Sequence, residues 1–267
     1  YPLTELYREL SDAAAGCGGY EDLARCLREF KQRHFLGIGG RDLLGLADFQ
    51  ETTRQLSELA GVALQVTQEA LLERPDLWCG REDPGERARS LRENPITVMG
   101  LGKLGGSELN YVSDVDLVFF RRHSGGAGGH RRFCQALCRL VGEQFEGDKV
   151  FTTDLRLRPM GKDGELVPPM EAAAEYYLNS GRAWERQALL KSRPVAGDRS
   201  LGRAFLQEVA PFVFRRFMDF QALEELQGMR DRILAELKRT ERDLFQDVKL
   251  GRGGIREIEF TVQSFQL

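Results

Sequence analysis

VMGLGKLGGSELNYVSDVDLVFF, residues 98–120, decides how the rest of the chain is read. A short apolar run leads into a glycine-rich loop. Two aspartates, Asp114 and Asp116, then open a second apolar run. Residues i and i+2 of a strand share a face, so both carboxylates project the same way, roughly 7 Å apart along the backbone. Paired acids beside a glycine loop suit divalent cations that hold a nucleotide phosphate.

Gly100, Gly102 and Gly105 also spell GxGxxG, the dinucleotide fingerprint. That reading needs a crossover helix after the glycines and an acid about 20 residues on. Here the second apolar run begins a few residues after Gly106, whereas a parallel crossover takes about a dozen residues or more. The two runs, Ile96–Met99 and Val115–Phe120, are therefore expected to be antiparallel neighbours. A Walker loop is excluded as well, because no Lys-Ser or Lys-Thr pair follows the last glycine.

Outward from this core, helical spacing dominates. Leu3, Leu6, Tyr7 and Leu10 repeat with helical period, as do Leu23, Leu27 and Phe30, with a break expected at Gly37–Gly40. A further amphipathic stretch runs from Asp48 to Leu72. Residues 74–94 carry Pro75 and Pro84 and read as a connection. Ser124–Gly129 reads as a loop and Arg131–Phe145 as a helix. Lys149–Leu157 is a third strand candidate, Glu165–Val167 a short fourth, and 171–192 helical. From Arg199 the pattern is helical, interrupted at Gly251–Gly254, and it reaches Leu267 without a stop signal. These features predict an α+β chain. It would have an N-terminal helical segment over 1–92, a mixed-sheet core over 93–197, and a C-terminal helical segment over 198–267 that belongs to something longer.

Composition bounds the function. The chain has 267 residues, 42% apolar and 30% charged, with formal charge −3. That balance argues against bulk nucleic-acid binding and against an RNA-directed enzyme. No apolar run approaches the ~20 residues of a membrane span, and no signal peptide is expected. The five cysteines lack metal-site spacing, and Cys134 and Cys138 read as packed thiols, so a reducing cytoplasm is expected. His34, His123 and His130 have no nucleophile pattern around them, and no catalytic histidine is expected.

Asp154 lies in the third strand candidate, with Arg156 and Arg158 on its face by period two. Acid, arginine and arginine on one face make a poor core and a good neighbour for a metal-bound phosphate. Lys103 sits in the glycine loop, where backbone N–H groups cradle anions. Trp184-Glu185-Arg186 and Lys191-Ser192-Arg193 are further phosphate-binding candidates. Glu257 and Glu259 cannot both face one way on a helix.

GLGKLGGSELNYVSDVDLVFF, TDLRLRPMGKDGELV, WERQALLKSRPVAGD and VKLGRGGIREIEFTVQ occur in that order. Together they closely resemble the bacterial glutamine synthetase adenylyltransferase (glutamate-ammonia-ligase adenylyltransferase) family. The resemblance extends upstream through LREFKQRHFLGIGGRDLLGLADFQETTRQLSELA. It implies the nucleotidyltransferase fold, with Gly105-Gly106-Ser107 at the nucleotide, and Asp114, Asp116 and Asp154 holding two Mg²⁺ ions. Lys103, Arg156, Arg158, Lys191 and Arg193 would contact nucleotide or phosphate. Family members are tandem duplications. One half removes AMP from a tyrosine of glutamine synthetase by phosphorolysis, giving ADP, and the other attaches AMP from ATP. The GGIREIEF tail resembles the removing half, whereas the attaching half tends toward GGITDIEF. The implied partners are glutamine synthetase, nucleotide, inorganic phosphate and the PII signal protein. A catalytically silent nucleotide-binding module stays open as an alternative, as does the attaching reaction.

Overall fold

The computed structural model describes residues 2–145, 147–214, 228, 248–249 and 253–266. The long helices α1 (Leu3–Ala15), α2 (Tyr20–Leu43) and α3 (Phe49–Glu73) open the fold, followed by α4 (Pro84–Glu93). The strand β1 (Ile96–Gly100), the single turn α5 (Gly102–Gly105) and β2 (Val115–Arg121) come next. Then follow α6 (Ala127–Gly142), β3 (Thr153–Asp154), α7 (Met170–Ser180), α8 (Ala183–Leu189), β4 (Arg193–Gly197) and α9 (Arg199–Val213). A last helix covers Ile255–Gln266.

The strands form one sheet in the order β3-β2-β1-β4. β1 and β2 pair antiparallel from Ile96 opposite Arg121 to Gly100 opposite Leu117, as the short gap between them requires. β2 and β3 pair parallel and place Asp116 level with Asp154. β4 joins the other side of β1 antiparallel, with an irregularity between Val98 and Met99. The sheet is mixed and the fold is α+β.

Alternation along the strands sorts two apolar layers. Ile96, Val98, Val115, Leu117 and Phe119 face a core shared with α1, α2, α3 and α6. Met99, Val118 and Phe120 face a smaller core with Tyr177, Phe205 and Phe212 from α7 and α9. Burial on both faces explains why the strands read as continuous apolar runs. Asp116 has the parity of Val118 and Phe120, so it lies on the face of the smaller core, at its open end. Helix starts are fixed by aspartates whose side chains accept backbone N–H bonds: Asp48 from Glu51, Asp83 from Glu86, and Asp198 from Ser200 and Leu201.

Five expectations are corrected. α2 runs unbroken through Gly37–Gly40, because its buried face, from Leu23 to Ile38, holds the helix where glycine propensity would not. The connection 74–94 contains α4 and a 3₁₀ turn at Pro75–Leu77. The third strand candidate shortens to Thr153–Asp154, and α6 starts earlier and ends earlier than its expected span. Glu165–Val167 is not a strand. The fourth strand is Arg193–Gly197, an edge strand that tolerates Pro194. Residues 215–227, 229–247 and 250–252 lie outside the described residues, and with them lie the helical reading there and half of the Gly251–Gly254 interruption.

Candidate active site

The loop after β1 is shaped by close packing. Gly102 has φ +52°, and a Cβ there would lie 2.6 Å from an Asp116 carboxylate oxygen. A Cβ on Gly105 would lie 2.2 Å from the Lys191 carbonyl oxygen and 2.6 Å from that of Gly100. These two glycines therefore let the loop sit directly against an acid and against the backbone preceding β4. The Leu101 N–H donates to the Asp116 carbonyl at 2.9 Å, tying the start of the loop to β2. Ser107 takes φ 58°, a conformation non-glycine residues seldom adopt.

Three carboxylates meet at this end of the sheet. Asp114 is exposed at the end of the loop, Asp116 is partly buried on β2, and Asp154 is its partner on β3. Partial burial pushes the Asp116 carboxyl up to about 6, helped by the negative charges of Asp154 and Asp114 and opposed by Arg156 and Lys103. Asp154 is held below the ordinary carboxylate range, chiefly by its hydrogen bonds from the Arg156 side chain. Arg156 Nε lies 3.0 and 2.9 Å from the two Asp154 oxygens, Nη2 lies 2.5 Å from Oδ2, and the Arg156 backbone N–H donates to Oδ1 at 2.9 Å.

The other sequence candidates divide by what they touch. Lys103 is close enough for its charge to favour ionised Asp116. Arg158 donates to the carbonyls of Leu155 (2.9 Å), Lys162 (2.8 Å) and Gly164 (3.2 Å), so its guanidinium closes the turn after β3. Arg193 donates to the carbonyls of Leu104 and Gly105, which anchors the end of α5 from below. Lys191 pairs with Glu108 at 2.6 Å, and both flank Gly106. Glu185 and Arg186 are buried: Glu185 accepts from the Tyr176 hydroxyl and the Arg182 N–H, while Arg186 stacks over Phe212. Glu257 accepts from the Gly253 N–H, within its own helix start. His130 is bonded to the carbonyls of Gly126 and Asn94. The contact of Gly102 with Asp116 was not legible in sequence, because it depends on the positive φ of Gly102 and on the exact register of β1 against β2.

The donors at the site are all carboxylate oxygens that repel one another, which suits a hard cation such as Mg²⁺. Among the described residues no group of three acidic, histidine or cysteine side chains is already arranged around a metal position. Both oxygens of Asp154 face Arg156. The donor chemistry, three carboxylates, fits the ion.

The sequence model described as glutamate-ammonia ligase adenylyltransferase matches residues 2–208. The chain belongs to the glutamate-ammonia ligase adenylyltransferase family. A second match, over residues 227–267, is to a model described as GlnD PII-uridylyltransferase. Proteins named bifunctional glutamine synthetase adenylyltransferase/adenylyl-removing enzyme are similar to it. That of Thioalkalivibrio sulfidiphilus is 42% identical over 254 residues, covering 92% of this chain and 26% of the relative. Those of Nitrosococcus oceani and Pseudomonas aeruginosa are 40% and 38% identical, covering 92% and 98% of this chain and 26% and 27% of theirs. The chain thus spans about a quarter of the length of these adenylyltransferase relatives. Among the described residues no helix is long and apolar enough to cross a membrane.

Proposed function

We propose that this chain is the adenylyl-removing unit: it transfers AMP from an adenylylated tyrosine of glutamine synthetase to inorganic phosphate, giving ADP. The observation that carries the reading is the convergence of Asp114, Asp116 and Asp154 at one end of the sheet, with the exposed Arg156 beside them. The direction rests on GGIREIEF (253–260), which resembles the removing half of the family.

In this reading Asp114, Asp116 and Asp154 would hold Mg²⁺. Bound there, the ions supply charge neutralisation on the phosphoryl oxygens and on the attacking and leaving oxygens. The chain's own groups do the rest. Lys103, in the single turn of the loop, adds positive charge beside Asp116, while the N–H groups of Gly105, Gly106 and Ser107 donate to the carbonyls of Leu101, Gly102 and Leu104 and hold that turn in shape. Arg156 binds the incoming phosphate. An oxygen of that phosphate attacks the AMP phosphorus in line; the new P–O bond makes ADP, and the broken bond returns tyrosinate, which takes a proton from solvent. No general base is required, because phosphate is already anionic. Arg158 and Arg193 serve by fixing the two backbone segments that carry the acids and the loop.

The test is product identity. The 267-residue chain, incubated with adenylylated glutamine synthetase, Mg²⁺ and phosphate, should release ADP only when phosphate is present. Asp114→Asn, Asp116→Asn and Asp154→Asn should each lower the rate at least ~10²-fold while the far-ultraviolet dichroism stays unchanged. Incorporation of AMP from ATP into unmodified glutamine synthetase, with no phosphate-dependent ADP, would instead assign the attaching reaction. That second reading has the same acids in its favour, since both activities of the family use this constellation.

A further inference from the structure

The Arg156 side chain is 73% exposed while that of Asp154 is 14% exposed. The carboxylate is recessed, and the guanidinium covers both of its oxygens from the solvent side. Asp154 stands level with Asp116, and no three acids are arranged for a metal among the described residues. Arg158, two residues on, is tied to three backbone carbonyls, whereas among the described residues the Arg156 side chain hydrogen-bonds to Asp154 alone. An ion pair whose cation faces solvent is a weak hold that a divalent cation shared between carboxylates can outcompete.

We propose that Arg156 exchanges partners: it holds Asp154 before divalent cations bind, is displaced from it by them, and is thereby released toward the anionic substrate. The proposal rests on the metal reading given above. It assigns one side chain two successive partners. Before cations enter, the guanidinium relieves repulsion among the carboxylates. Afterwards its planar fork is free for the oxygens of a phosphate, which it matches in two-point geometry. Metal loading and phosphate binding are then coupled through one arginine, with no bond made or broken in the switch.

The experiment follows Arg156 itself. In the ¹⁵N-arginine-labelled 267-residue chain, the Arg156 Nε–H signal is assigned by its absence in Arg156→Lys. It is then followed as Mg²⁺ alone is added, and Mn²⁺ binding is measured in parallel by electron paramagnetic resonance. The Nε–H signal should shift and lose protection with the same midpoint as cation binding. Arg156→Gln should bind Mn²⁺ about threefold to fivefold more tightly, the equivalent of removing a competing surface pair. The gain should vanish in an Asp154→Asn background, since only Asp154 is being unmasked. A gain that persists there reflects charge alone and overturns the proposal. So does an Nε–H signal unchanged at saturating cation, a result that leaves the metal reading standing. Failure of both the wild-type chain and Arg156→Gln to bind either cation would overturn the proposal and the metal reading together.

Discussion

The two segments that bring the acids together are built in opposite ways. Gly100–Asp116 is positioned by exclusion: its backbone lies so close to Asp116 and to the Lys191 carbonyl that Gly102 and Gly105 have no room for a methyl group. Thr153–Gly164 is positioned by reach: its two-residue strand is too short to hold itself, and the Arg158 guanidinium gathers three carbonyls of the following turn. The first segment has no slack and fails when an atom is added. The second depends on donors and fails when they are removed. One fixes the loop and a recessed acid, while the other leaves an arginine at the surface beside Asp154, where a change of partner is cheap.

The largest effect that would break this contrast concerns Gly105. Gly105→Ala should lose about 3 kcal/mol of stability, because the new Cβ meets two backbone carbonyls and neither is a flexible side-chain end. Gly128→Ala, in α6 with open space around it, should change stability by less than about 1 kcal/mol, in the favourable direction. Urea midpoints of the two variants decide it. Equal midpoints would mean that the loop yields and is not held by exclusion.

Next in size is the contrast between neighbouring arginines. Arg158→Gln should cost about 1–2 kcal/mol, since carbonyls of Leu155, Lys162 and Gly164 lose a charged donor. Arg156→Gln should cost less than about 1 kcal/mol, because its pair is solvent-facing. If the two variants unfold at the same denaturant concentration, Arg156 is as structural as Arg158 and the distinction between them falls.

These cases also show what was legible in the sequence. The antiparallel pairing of β1 and β2 follows from a gap too short for a crossover, and period two alone puts Asp114 and Asp116 on one face, whereas bringing Asp154 beside them needs the pairing of β3 with β2, which no spacing in the sequence states. The roles of Arg158 and Arg193 were not legible, because a guanidinium aimed at a phosphate and one aimed at a backbone carbonyl are the same letter. β4 was missed for a related reason. Lys191-Ser192-Arg193-Pro194 carries no alternation, and its pairing with β1 is decided by the far side of the fold. The continuity of α2 through Gly37–Gly40 was hidden likewise, since the buried face that holds it outweighs local propensity. Local periods and loop lengths survive in one dimension; the partners of polar side chains do not.

An effect no larger than that at Arg158, and confined to the upper part of the pH range, sharpens the comparison at the acid between the two segments. The Asp116 carboxyl is pushed up to about 6 by partial burial and by the charges of Asp154 and Asp114, so the folded protein favours its protonated form. Stability from that preference is complete below the ordinary carboxylate value and is lost as pH rises through about 6. Asp116→Asn keeps the shape of the protonated form without the titration. In the absence of divalent cations it should match wild type near pH 4. By pH 7.5 it should be more stable by about 1–2 kcal/mol, a figure already reduced for the solvent that reaches this partly exposed group. Asp154→Asn should behave oppositely. Its carboxyl is held low by Arg156, so the loss appears at neutral pH and fades as pH falls through the carboxylate range. Thermal melts across pH 4–8 in chelator test both. A wild-type-minus-variant difference at Asp116 that is flat with pH would show that the three acids do not share a field, and the site built from the two segments would come apart at its centre.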